Sequence, residues 1–152
     1  MPDILLVTLN ARYSHASLGL RYLYANMGAH RQHCEIVEFV IGARTESLAE
    51  RILARKPRIV GFGVYIWNVE ETGRLVSVLA RIAPEVRLVV GGPEVSHETD
   101  SQQICRDADF VITGPGDVSF AKLCSQLLAG TPPVQRVIAG EAVAPDVLES
   151  PY

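Results

Sequence analysis

Cysteine is scarce in this chain. Cys34, Cys105 and Cys124 are the only three among 152 residues. Their odd number and wide spacing argue against a disulfide framework, and no two stand at metal-ligand spacing. A reducing, cytoplasmic setting is expected. Long apolar runs are missing too. None approaches the roughly 18 residues needed to cross a bilayer, so no membrane partner is expected. Basic character is weak: 14 Lys and Arg stand against 17 Asp and Glu, for a net charge of -3. Without a basic stripe, a nucleic-acid partner is not expected either. Met1, Pro2 and Asp3 lead directly into an apolar run, with no basic segment or small-residue cleavage site. A secretory leader is therefore not expected.

The familiar phosphate-binding signatures are absent as well. A dinucleotide site needs G-x-G-x-x-G after the first strand, but the first glycine there is Gly19. Gly61 and Gly63 lie within a strand, and Ile66 occupies the third glycine position. No Gly-Lys-Ser/Thr occurs, so there is no P-loop. A flavodoxin would place a hydroxyl- and glycine-rich loop after the first strand, where this chain has Arg12, Tyr13, Ser14 and His15. A phosphoacceptor domain needs acidic residues at the ends of the first and third strands, where Asn10 and Val64 stand.

What is present is a regular alternation. Hydrophobic residues make up 48% of the chain and charged residues 20%, ordinary values for one soluble domain. Apolar runs at 4–9, 35–40, 59–64, 86–90 and 109–113 read as five strands. Helical-period segments follow each. The first runs over 17–27, capped by Ser17, and Gly28 stops it. Thr45 caps the second. Asn68, with Glu71 as its capping-box partner, begins the third. A short helix covers 97–106. The fifth carries Phe120, Leu123, Cys124, Leu127 and Leu128 on one face, with Asp117 as its N-cap.

Strands one, three and four are almost unbroken Val, Ile and Leu, the pattern of strands covered on both faces. The expected fold is an α/β domain with an open, doubly wound, five-stranded parallel sheet over residues 1–131. Residues 132–152, with one short strand-like piece at 134–139 and several prolines, read as a tail or linker.

In such a sheet, ligands bind outside the carboxyl ends of the strands. Four loops lie there. The loop after strand one is long for a βα connection and holds Arg12, Tyr13, Ser14, His15 and Ser17. The loop after strand three reads Gly63, Val64, Tyr65, Ile66, Trp67. Its large side chains either fold onto their own core or line a large apolar ligand. The loop after strand four is Gly91, Gly92, Pro93, Glu94. The loop after strand five is Gly114, Pro115, Gly116, Asp117. Glycines at three strand ends suit a wide, flat ligand pressed against backbone. His30, His33 and Cys34 fall on the opposite side and read as surface and core residues.

Taken together, the segments 10–19, 61–67, 91–94 and 109–114 resemble the N-terminal cobalamin-binding domain of cobalamin-dependent radical S-adenosylmethionine enzymes. The anaerobic magnesium-protoporphyrin IX monomethyl ester cyclases belong to that group. The resemblance covers residues 3–130. It implies a flavodoxin-like strand order 2-1-3-4-5, with the corrin across the four loops and its nucleotide tail beside the glycines of strands three and four. Gly63 to Trp67 would pack on the corrin or the tail, Gly91 and Gly92 would clear space for the tail, and Gly114 to Gly116 would border it.

Two departures matter. The D-x-H-x-x-G pattern that coordinates cobalt in methionine synthase-type domains is not met. Tyr13 stands where its aspartate belongs, leaving His15 as a possible cobalt ligand and Gly19 one position late. The C-x-x-x-C-x-x-C of the radical iron–sulfur cluster is also missing. The resemblance thus implies a non-catalytic module that binds cobalamin. The iron–sulfur cluster and S-adenosylmethionine would belong to a C-terminal radical domain of a longer chain. The alternatives are a stand-alone regulatory or interaction domain with a nucleotide or no ligand, and a small flavodoxin-like redox protein.

Overall fold

The computed structural model describes residues 2–10, 18–142 and 148–150. The strands are β1 (Ile4–Asn10), β2 (Cys34–Val40), β3 (Ile59–Gly63), β4 (Arg87–Gly91), β5 (Phe110–Thr113) and β6 (Val137–Ala139). The helices are α1 (Leu18–Ala25), α2 (Thr45–Leu53), α3 (Val69–Ile82), α4 (Gln103–Asp107) and α5 (Ser119–Leu128). All strands are parallel, in the order β2-β1-β3-β4-β5-β6. The expected order 2-1-3-4-5 is present, with one strand more than the five expected.

That sixth strand comes from the segment read as tail. Val137–Ala139 pairs with Val111–Thr113 along the edge of β5. Arg136 fixes it there: Nη2 donates to the carbonyls of Cys105 (2.8 Å) and Ala108 (2.7 Å) at the end of α4. One arginine thus satisfies carbonyls that a short helix leaves open. The piece is too short, and too close to Pro132 and Pro133, for its periodicity to declare a strand.

The sheet separates two apolar layers. Leu5, Val7 and Leu9 of β1 face α2, α3 and α4, packing with Leu48, Ile52, Leu75, Leu79 and Ile104. Ile4 and Leu6 face α1 and α5, packing with Leu20, Phe120, Leu123 and Cys124. This alternation along continuous apolar strands is what two-sided burial requires.

Several helix starts differ from expectation. Arg44 rather than Thr45 is the residue before α2. Asn68 does precede α3, but its side chain makes no cap bond. Glu71 accepts from the Gly42 N–H (3.1 Å) instead of closing a capping box. Val118 rather than Asp117 precedes α5. The helix expected over 97–106 is divided into a 3-10 turn at Thr99–Ser101 and α4. Among the described residues no helix is long and apolar enough to cross a membrane.

Candidate functional site

The strand order reverses between β1 and β3, and the crevice opens there at the carboxyl ends of the strands. Its floor is set by one row of the sheet. Gly63 pairs with Gly91, and Gly91 with Ile112. Thr8 comes next to Gly63 in the β1–β3 register, one residue beyond the Val7–Phe62 pair. Below this row lies Leu6–Gly61–Val89. Two adjacent glycines therefore stand between Thr8 on one side and Ile112 on the other. Backbone, rather than side chains, forms the centre of the row.

A cavity of about 150 Å³ occupies this space, between the sheet and the α1–α5 layer. Leu6, Leu20, Leu23, Val89, Ile112 and Phe120 give it apolar walls, and Gly61, Gly63 and Gly91 lie along its floor. A Cβ at Gly61 would come within 2.8 Å of the Phe120 ring, and one at Gly63 within 3.3 Å of the Tyr65 ring. At Gly91 the nearest atom would be 3.6 Å away. Thr8 is 1% exposed, and its Oγ1 has no hydrogen-bond partner among the described residues. That oxygen lies 3.8 Å from where a Gly63 Cβ would stand.

The loops around the cavity are braced to one another. Asn68, 1% exposed, donates through Nδ2 to the carbonyls of Leu9 (3.0 Å) and Gly63 (3.2 Å), and its Oδ1 accepts the Tyr65 N–H (2.8 Å). The Val64 N–H donates to the Gly91 carbonyl (2.8 Å). The Ser96 hydroxyl donates to the Gly92 carbonyl (2.9 Å) and accepts the Gly114 N–H (3.0 Å). These bonds tie the ends of β1, β3, β4 and β5 into one rim. Gly92 has φ +117°, and a Cβ there would meet the Val64 carbonyl oxygen at 2.5 Å. Only glycine allows that approach.

The expected site residues divide into four groups. Gly63, Tyr65, Gly91, Gly92, Gly114 and Gly116 line the cavity. Tyr65 stacks on Trp67, with ring centroids 4.6 Å apart, and Ile66 and Trp67 are 77% and 55% exposed at the rim. Val64 is instead buried in the opposite core, and Pro93, Glu94 and Pro115 stand outside the cavity lining. Arg12, Tyr13, Ser14, His15 and Ser17 lie outside the described residues. Leu20, Leu23, Ile112 and Phe120 also line the cavity and were not anticipated. Finding them needs the sheet register and the α1 and α5 faces.

Among the described residues, Asp117 is the one charged residue that lines the cavity. The described residues contain no group of three His, Cys, Asp or Glu side chains able to hold a metal. The thiols do not supply reactivity. Burial pushes Cys34 up to about 12, with the Glu35 charge adding. Burial also raises Cys124, with Cys34 adding. Neutral thiols are weak nucleophiles and poor metal ligands.

Residues 4–124 match the model of the B12 binding domain family. This chain belongs to that family. The fold of this B12 binding domain is also similar to solved structures of low sequence identity. One is the cobalamin-dependent S-adenosylmethionine radical enzyme OxsB with aqua-cobalamin and S-adenosylmethionine bound. It has a TM-score of 0.68 at 13% identity, covering 94% of this chain and 23% of that one. A cobalamin-binding protein from Desulfitobacterium hafniense DCB-2 has a TM-score of 0.58 at 15% identity, covering 82% of this chain and 58% of that one. The response regulator domain of Thermotoga maritima CheB has a TM-score of 0.50 at 16% identity, covering 86% of this chain and 94% of that one. The B12 binding domain therefore spans about a quarter of OxsB and less than two thirds of the Desulfitobacterium protein. No curated protein matches the sequence.

Proposed function

We propose that this chain binds cobalamin, with the aromatic base of the nucleotide tail in the glycine-floored cavity and the corrin on the rim above it. The observation that carries this reading is the Gly63–Gly91 pair between Thr8 and Ile112. A cavity of roughly 150 Å³ suffices for an aromatic ring but is far too small for a corrin, which needs the open rim. Gly61, Gly63 and Gly91 leave room that side chains would fill, and the walls are apolar, so the residues present fit a flat aromatic group. Exposed Trp67 and Ile66 offer an apolar surface at the rim for the larger ring.

In this reading Arg12, Tyr13, Ser14, His15 and Ser17 serve the polar edge of the corrin, and His15 is the candidate cobalt ligand. Gly114, Pro115 and Gly116 border the tail, with Pro93 and Glu94 beside it. The full protein is a cytoplasmic radical S-adenosylmethionine enzyme of the methyl-transfer or cyclase-like kind. Residues 132–152 lead toward the domain that carries its iron–sulfur cluster. When bound, the cofactor supplies cobalt chemistry, while this chain's residues hold and orient it.

The test is titration of the chain with hydroxocobalamin, followed by visible absorbance and by fluorescence of Trp67, the only tryptophan. Saturable quenching with a shifted cobalt spectrum is expected. No change at near-millimolar cobalamin overturns the reading, and a flavin copurifying with the protein would favour the redox alternative. A His15→Ala variant with an unchanged cobalt spectrum removes His15 as a ligand.

A further inference from the structure

We propose that Gly140 is a positioning residue of the site. It seats the segment after β6 against the Pro115 peptide, so that docking of that segment and binding of cobalamin favour one another. The inference rests on the cobalamin reading and deepens it, because it brings into the site a segment beyond residues 4–124, the part that matches the B12 binding domain family.

Ala139, the last residue of β6, is level with Thr113 in the register, so Gly140 stands beside the loop that follows β5. Its N–H donates to the Thr113 carbonyl (2.7 Å). A Cβ at Gly140 would overlap the Pro115 carbonyl oxygen and stand 2.6 Å from the carbonyl carbon. Both are backbone atoms, so no change of rotamer relieves the overlap: either the segment or the loop has to move. Only glycine allows so close an approach. Pro115 has no N–H with which to anchor itself. Its neighbours are held by hydrogen bonds, Gly114 through its N–H to the Ser96 hydroxyl and Gly116 through its carbonyl to the Phe120 N–H. Pro115, between them, rests on Gly140.

That loop shapes the cavity. Gly114 and Gly116 line it, and a Cβ at Gly116 would lie 3.7 Å from both Ile112 and Leu23, so the loop spans from β5 to α1. The segment after β6 is anchored on the same layer. The Glu141 N–H donates to the Ser119 hydroxyl (3.0 Å) at the start of α5. Farther on, the side chain of Asn26, just past α1, exchanges two hydrogen bonds with the backbone of Glu149 (3.0 and 3.2 Å). The segment therefore holds the β5 loop, α5 and the end of α1, and these three elements contribute cavity walls. A docked segment favours the loop position that closes the cavity. By linkage, a ligand that needs that loop position favours the docked segment by the same factor.

The experiment compares the wild-type chain with Gly140→Ala and Ser119→Ala, using hydroxocobalamin titrations and amide hydrogen exchange followed by NMR. Saturating hydroxocobalamin should slow exchange of the Gly140 and Glu141 amides in the wild type by about tenfold, a usual size for coupling between sites. A segment that only stabilises the fold would not respond to the ligand. Gly140→Ala should bind hydroxocobalamin about tenfold more weakly, and its Gly114 amide should exchange faster without ligand. Ser119→Ala, which removes the anchor of Glu141 and lies outside the cavity lining, should show a smaller loss in the same direction. If Gly140→Ala does not fold, wild-type exchange and Ser119→Ala decide the matter. Wild-type affinity of a folded Gly140→Ala, or exchange at Gly140 and Glu141 that ignores the ligand, overturns the coupling while cobalamin binding stands. A wild-type chain that leaves the hydroxocobalamin spectrum unchanged overturns the cobalamin reading, and the coupling with it.

Discussion

The Asn68 side chain donates to the Leu9 carbonyl across 3.0 Å, joining the end of β1 to the start of α3 although 59 residues separate them in sequence. The same amide holds the Gly63 carbonyl and the Tyr65 N–H. One buried group thus pairs three backbone groups, one at the end of β1 and two where β3 enters its turn.

Replacing Asn68 by Ala should therefore destabilise the chain by more than a lost helix cap. Three backbone groups lose their partner, and leaving even one buried group unsatisfied costs about 1–3 kcal/mol. A urea unfolding midpoint well below wild type is expected. Cobalamin affinity should fall in parallel, because Tyr65 and Gly63 border the cavity. An unchanged midpoint would show that water replaces the amide without penalty.

Gly91 and Gly92 are neighbours that should respond in opposite ways. A Cβ at Gly91 meets nothing closer than 3.6 Å, so Gly91→Ala should keep stability or raise it by about 0.5–1 kcal/mol. The added methyl points into the cavity row, and cobalamin affinity should drop about tenfold through crowding. Gly92→Ala forces a left-handed backbone onto alanine and drives its Cβ into the Val64 carbonyl. It should lower stability by about 1–3 kcal/mol. Thermal melts and ligand titrations on both variants check the contrast. Loss of stability in Gly91→Ala would mean that its site is not open.

The thiol of Cys34 gives a pH dependence with a definite sign. Burial favours its neutral form, raising it from 9.0 to about 12. The folded chain then holds a proton that the unfolded chain releases. This contribution is fully present below about pH 9 and declines as pH rises toward 12. The slope for one thiol is about 1.4 kcal/mol per pH unit. Urea midpoints measured from pH 8 to pH 10.5 should fall less steeply in Cys34→Ala than in wild type. Parallel curves would exclude the contribution.

Much of the framework can be read from the chain itself. The strands of the β2-β1-β3-β4-β5 core announce themselves as apolar runs, since burial on both faces leaves no room for polar alternation. Glycines at three strand ends mark the edge where the cavity opens. The site's shape is less legible, because it is a property of register. Thr8, Gly63, Gly91 and Ile112 form one row only after four strands align, and no local pattern connects them. Asn68 misleads for a related reason. As a residue before a helix it suggests a cap, yet buried carbonyls from β1 and β3 compete for its amide and win. Val64 misleads because strand alternation turns it to the far core while Gly63 faces the cavity.

The edge strand has a practical meaning. β5 reads Phe-Val-Ile-Thr, short and largely apolar, and β6 pairs with it along Val111 to Thr113. A fragment ending at Thr131 would leave that side of β5 with unpaired N–H and C=O groups, ready to recruit the same strand of another copy. Residues 137–139 cover that side of β5, held in place by Arg136. A shortened version of this domain should therefore be cut after Glu141 rather than before Pro132, because the Gly140 N–H also pairs the Thr113 carbonyl.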